Sequence, residues 1–420
     1  MRTKLSVLMG ILSIATLLLS ACGTSNNSSG PITVGELFPM TGREPFVGQW
    51  FLHGAKAGIY DINQHGGVLG RQINPILSDT GGDAVDAVTA LRQLQTNNPD
   101  FILGPSSLEI EGVINQFDPA KLPDFVEGGT TQLDHMTNQY VYRTTPSDST
   151  LAVGMAYYAI NKLSCTQAGY FFENTSNATG VISPLVAAYT THGGTIQNNA
   201  NIEVTPHQSS YRSEVEKLFA GNPKCIFMQT DPQTGSTFFN DVRQLGHLNV
   251  PFILTDAGDD INMAKALGLA DAAKWMTGMN GSPPSGEGWQ YFTQVYNTVW
   301  GTNQPVTLSQ NTYDSVIIAA LAITEAGTTD GTKWINDVND VVNSSEASGH
   351  TVVHTYADGV AALKAGQKID FEGASGSDDY NQYHNVAGSW DIVQFDTTGN
   401  VHTVYTVPEA QIAAWTPAGS

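Results

Sequence analysis

From Pro31 onward the sequence alternates short β-rich runs with helical stretches, and this alternation restricts the fold more than any other feature. Residues 32–38 read as a strand, followed by the loop Pro39-Met40-Thr41-Gly42 and a helix over 48–64 that Gly66-Gly67 can close. A second strand is expected over 73–78. Asp83 can cap a helix whose apolar positions Ala84, Ala87, Val88, Leu91 and Leu94 form one stripe at helical period. Strand 100–104, helix 107–117 and strand 124–126 continue the series. Strands separated by helices pair in parallel and are covered on both faces, so the chain reads as a doubly wound α/β structure.

The pattern restarts near residue 146. Helices over 150–162, 181–192, 210–220 and 236–245 alternate with strands over 169–172, 195–204, 225–229 and 252–255. No Pro/Ser-rich linker divides the two units, which predicts lobes that face each other across a cleft. The breaker cluster 281–288 (Gly-Ser-Pro-Pro-Ser-Gly-Glu-Gly) reads as another crossing between lobes, followed by helices over 289–300 and 313–326.

The first thirty residues have a different character. Arg2 and Lys4 precede an apolar run over 5–19, shorter than the roughly 20 residues of a bilayer span. A basic start, an apolar middle and a small-residue exit read as a signal peptide over 1–21. The exit Leu19-Ser20-Ala21-Cys22 matches the bacterial lipobox and makes Cys22 the expected lipidation site, placing the protein outside the cytoplasm on a lipid anchor to the bacterial cell membrane. Residues 22–30, rich in Gly, Ser and Asn, read as a flexible tether.

The formal charge is −21, and removing residues 1–21 with Arg2 and Lys4 takes it to −23. Nucleic-acid binding needs clustered Lys and Arg and is excluded as an expectation. Cys165 and Cys225 each precede a strand-like apolar run. If those strands are parallel neighbours, both thiols lie at one end of the sheet and can form a disulfide in an exported chain; the alternative is two buried free thiols.

Several stretches resemble the branched-chain amino-acid (Leu/Ile/Val) type of ABC-transporter substrate-binding lipoprotein. They include Val34-Gly35-Glu36-Leu37-Phe38-Pro39-Met40-Thr41-Gly42, Gly66-Gly67-Val68-Leu69-Gly70-Arg71, Asp79-Thr80 with Gly82-Asp83, and Ile102-Leu103-Gly104-Pro105-Ser106-Ser107. Arg143-Thr144-Thr145-Pro146-Ser147-Asp148, Tyr313-Asp314-Ser315-Val316 and Phe371-Glu372-Gly373-Ala374-Ser375-Gly376 follow in order. The resemblance implies a type I periplasmic-binding fold, with two doubly wound parallel-sheet lobes joined by a three-crossover hinge. Lobe one would comprise 31–145 plus 281–385, and lobe two 146–280 plus 386–420. It further implies a monomer that captures an amino acid or similar small polar solute by hinge closure and delivers it to ABC permease subunits, without a cofactor.

Ligands of open α/β sheets bind beyond the carboxyl ends of the strands. There, Ser106 and Ser107 lead toward a helix start that suits a carboxylate, and Gly129, Thr130 and Thr131 follow the next strand. Residues resembling Ser107, Gly129, Thr130 and Thr131 bind the α-carboxylate and ammonium of the ligand in amino-acid-binding relatives; read alone, they are also ordinary caps and turns. A buried ammonium needs a facing acid, and Asp256 stands at the corresponding place in lobe two, with Asp259 as its rival. Two departures point away from a strict amino-acid site: the aromatic Phe46 is shifted in the first loop, and 173–180 is polar with no tyrosine. A polar amino acid, an amide, urea or a small carboxylate fits such a wall. A ligand sensor for a membrane receptor is the alternative role. The chain has no Gly-x-Ser-x-Gly elbow, His-Glu-x-x-His helix or Walker-type loop, so a catalytic role is not expected. His350 and His354 flank β-branched residues that read as a strand, so no metal site is expected there.

Overall fold

The computed structural model describes residues 30–282, 286–343 and 349–417. The expected signal peptide, the lipobox cysteine Cys22, most of the tether and part of the 281–288 crossing lie outside the described residues. Five strands build the first sheet: β1 (Ile32–Phe38), β2 (Ile73–Asp79), β3 (Phe101–Leu103), β4 (Asp124–Val126) and β5 (Val141–Arg143). All are parallel, in the order β2-β1-β3-β4-β5. The second sheet takes β6 (Gln167–Glu173), β7 (Thr195–Val204), β8 (Cys225–Gln229), β9 (Phe252–Leu254) and β10 (Met276–Gly281). A small parallel pair, β11 (Thr351–Val353) and β12 (Ile369–Phe371), comes next in the chain.

The chain then adds β13 (Trp390–Phe395) and β14 (Val401–Val407) to the second sheet, giving the order β14-β13-β10-β9-β8-β6-β7. These last two strands are antiparallel, β13 against β10 and β14 against β13. A connection as short as the turn at Asp396–Asn400 can join only antiparallel neighbours. The result is a mixed α/β fold with two lobes, each built on a parallel sheet.

Side chains on a strand alternate between faces, and each sheet buries an apolar cluster on both. In β1, Ile32, Val34 and Phe38 join the cluster packed against the helices Pro45–Gln64 and Ser309–Ala326, while Leu37 joins Leu91, Leu94 and Phe117 on the other face. In β6, Tyr170 and Phe172 face one core and Phe171 the other. A disulfide joins Cys165 to Cys225. Both cysteines stand where their strands begin, with Ala168 of β6 opposite Cys225 of β8, so the bond ties the sheet at the end away from the strand tips.

Three helix starts depart from the sequence expectation. The first helix begins at Pro45, with proline in the first turn, rather than at Gly48. The helix expected over 107–117 spans Ile110–Ala120, because the Ser106 carbonyl already accepts from the Glu109 and Ile110 N–H groups in a preceding turn. In lobe two the helix starts at Ser176, capped by Thr175, so the polar stretch after β6 is a helical first turn and not a loop.

Candidate functional site

Each sheet has one place where the strand order reverses: between β1 and β3 in the first, between β6 and β8 in the second. Crevices form there because successive helices leave toward opposite faces. The tips of both switch points face one cleft with two communicating chambers. The inner chamber holds about 630 Å³ of empty space and the outer about 640 Å³, open solvent at their mouths included. Glu44, Val47, Asn177, Gln229 and Asp256 line both.

Lobe one supplies the loops after β1, β3 and β4. Asp79 fixes the first loop by accepting from the Met40 N–H (2.9 Å), the Thr41 N–H (3.1 Å) and the Thr41 hydroxyl (2.6 Å). That leads the chain into Glu44, whose carboxyl meets the Ser106 hydroxyl. The same hydroxyl meets Glu109, which also accepts from the Ser106 N–H (2.8 Å) and the Thr80 hydroxyl (2.6 Å). Gly104 is required just before this turn: its φ is +86°, and a Cβ there would stand 2.4 Å from the Leu37 carbonyl oxygen. One hydroxyl proton can serve only one carboxyl, so the pair on Ser106 shares protons. Burial and the neighbouring Glu109 push Glu44 up to about 8.

The loop after β4 runs against the start of the helix Asp148–Asn161. The Asp148 N–H donates to the Gly129 carbonyl (2.7 Å), and a Cβ at Gly129 would lie 2.3 Å from Asp148 Oδ1. Glycine is what lets this carboxyl lie on the backbone. Burial, and then the charge of Asp256, push Asp148 up to about 7. Glu127, 1% exposed, accepts from the Ser315 hydroxyl (2.8 Å), and burial pushes it up to about 8. Burial also raises Asp256, which follows β9 in lobe two.

The remaining wall is apolar or neutral. Trp50 and Phe51 come from lobe one, and Trp390, from β13, lies in lobe two with its indole N–H donating to the Thr150 hydroxyl (3.0 Å). Phe46 packs edge-on against Trp50 with ring centroids 5.1 Å apart and lines the outer chamber. Gln229, at the tip of β8, has its carbonyl oxygen buried without a hydrogen-bond partner.

Of the residues picked from sequence, Ser106, Ser107, Gly129 and Asp256 line the inner chamber. Thr130 and Thr131 are not among its lining residues. Thr130 is buried and donates its N–H to Ser107 Oγ (3.1 Å), while Thr131 packs on Gly180. Asp259 lies outside the linings and accepts from the Asn280 amide (3.0 Å). Sequence reasoning passed over Glu44, Glu127, Asp148, Gln229 and Trp390. Gln229 and Glu127 carried a usable signal, a polar residue at or just past the end of an apolar strand. Trp390 carried none: the sequence reading put 386–420 in lobe two, but nothing local marks this tryptophan as a cleft residue.

A family model described as periplasmic binding protein matches residues 31–400. A Leu/Ile/Val-binding protein of Rhizobium johnstonii is 23% identical over 197 residues, 44% of this chain and 51% of the relative. The chain spans about half the length of the curated relatives it matches. A leucine binding protein from Thermotoga maritima superposes with a TM-score of 0.75 at 18% identity, covering 90% of this chain and 99% of that one. A fatty acid ABC transporter substrate-binding protein from Thermomonospora curvata reaches 0.71 at 16%, covering 93% and 96%. At such identities the structures speak for the fold. With the family model spanning both lobes, the chain belongs to the periplasmic binding protein family, whose fold is a solute-binding one.

Proposed function

We propose that this protein is the extracytoplasmic binding component of an ABC transporter, which captures a small solute by hinge closure and delivers it to the permease. The observation that carries the reading is a single cleft walled by strand tips of both lobes, at the switch point of each sheet. A solute touching both walls gains contacts only when they meet, and that difference shifts the open–closed population. Moving it from 1:99 to 99:1 takes about 5.5 kcal/mol of differential binding, which a few charge-assisted hydrogen bonds can supply. Relatives named for Leu/Ile/Val, leucine and a fatty acid support a small-solute role.

In this reading lobe one comprises 31–145 with 281–385, lobe two comprises 146–280 with 386–420, and the protein works as a monomer. The signal peptide over 1–21 is removed and Cys22 carries the lipid that holds the protein at the membrane. In this reading the protein is a receptor and not an enzyme, consistent with a family whose fold is a solute-binding one.

The test is small-angle scattering combined with tryptophan fluorescence, because Trp50 and Trp390 stand on opposite walls. A bound solute should reduce the radius of gyration and change the emission together. A solute that binds tightly with neither change would refute hinge capture.

A further inference from the structure

We infer that the solute held in this cleft is an organic cation, an amine or amidine with an apolar body, rather than a zwitterionic amino acid or a carboxylate. This rests on the cleft being the solute site.

The first ground is the charge of the wall. The inner chamber is lined by Glu44, Glu127, Asp148 and Asp256 and by no Lys, Arg or His. The outer chamber adds Glu173 and Asp231 against Arg43 alone, and Arg43 is exposed. Arg143, the buried cation nearby, lines neither chamber; it donates to the Gly129 and Thr130 carbonyls and to the Asp134 carboxylate. A carboxylate entering this space finds no counter-ion in the inner chamber, and every wall acid that ionises repels it.

The wall also carries an unsatisfied acceptor. Gln229 is 8% exposed, lines both chambers, and leaves its carbonyl oxygen without a partner. Buried acceptors of this kind call for donors, and the wall offers few. A ligand rich in N–H groups completes the set.

The subsite expected for a carboxylate is also taken. The Ser106 hydroxyl faces Glu44 and Glu109, so the chain's own carboxyls occupy the place an α-carboxylate would use. The apolar part of the wall suits the body of an organic cation: Trp50, Phe51 and Trp390 line the inner chamber, and aromatic rings stabilise ammonium and guanidinium groups placed over them. A bare metal ion fits less well, since among the described residues no three acids, histidines or cysteines are grouped to hold one. Burial raises Glu44 and Asp148, with Glu109 adding to the first and Asp256 to the second, and a cation bound beside them favours their charged forms.

The experiment is calorimetry and thermal shift on the mature chain with cadaverine, agmatine and phenethylamine, against leucine and benzoate. At least one amine should bind and raise the melting temperature. Asp256→Asn and Asp148→Asn should each weaken it about 30-fold or more. Without ligand, those variants should melt at or above the parent near neutral pH, because a like charge is gone; Glu44→Gln, at a half-buried position, repeats the test with less risk to folding. Leucine or benzoate binding undiminished in the variants, with lobe closure in scattering, overturns the cation while leaving solute capture intact. Amine binding that ignores all three substitutions overturns it too, as does failure of every amine to bind at millimolar concentration. A tightly bound probe of any class without closure defeats the capture reading instead.

Discussion

Replacing Glu127 by glutamine should stabilise the unliganded protein at neutral pH and leave it nearly unchanged in mild acid. Glu127 is buried in lobe one beneath the inner chamber, and burial raises it from an ordinary 4.5 to about 8, against the hydrogen bond from Ser315. A carboxyl raised in the folded state contributes stability that is fully present below the unfolded value. That contribution is lost as pH rises through the folded one. Each unit between the two values is worth about 1.4 kcal/mol, so the full loss above pH 8 approaches about 5 kcal/mol, and between about pH 5 and pH 7.5 it is about 3 kcal/mol. Glutamine keeps the shape and the Ser315 contact, carries no charge, and brings an amide that can donate to the hydroxyl oxygens of Thr145 and Thr312 around the carboxyl. Urea unfolding of parent and Glu127→Gln at both pH values measures the effect. The variant should gain about 3 kcal/mol at the higher pH and within about 1 kcal/mol at the lower. A variant less stable at both, or a difference that does not change with pH, would show that Glu127 is not held protonated by burial.

Other perturbations test other parts of the molecule. Replacing Cys165 and Cys225 with alanine opens a loop of sequence separation 60 and should cost about 2–4 kcal/mol, read as a lower melting temperature that reductant lowers no further; peptide mapping of the native chain should recover the linked pair. Arg143→Met removes the partner of Asp134 and of two carbonyls and should cost about 3–5 kcal/mol in denaturant unfolding. Gly129→Ala places a methyl 2.3 Å from Asp148 Oδ1, so it should weaken solute binding by about tenfold or more while shifting stability far less, since the carboxyl can move into the cleft. Equal losses in affinity and stability would argue that Gly129 is a folding position only.

What the sequence determined by itself was local and periodic. β1 falls where the apolar run lies, and Asp83 caps its helix by accepting from Val85 (2.8 Å) because the cap is written in neighbouring residues. Ser106, Ser107 and Gly129 were legible as cleft residues because strand tips in open α/β sheets face ligands. Tertiary structure decided the rest. The helix before Ile110 was delayed by a turn that a side chain 3 residues on, Glu109, holds together. β13 and β14 joined the second sheet only through pairing with β10, which no local pattern encodes. Above all, the acidity of the cleft comes from Glu44, Asp148 and Asp256, which are 104 and 108 residues apart in turn (148 − 44 and 256 − 148). Asp256 was legible through the family resemblance, whereas Glu44 and Asp148 are unremarkable loop and helix-start acids in the sequence. Only folding puts them around one space, where desolvation and the neighbouring acids raise their carboxyls together.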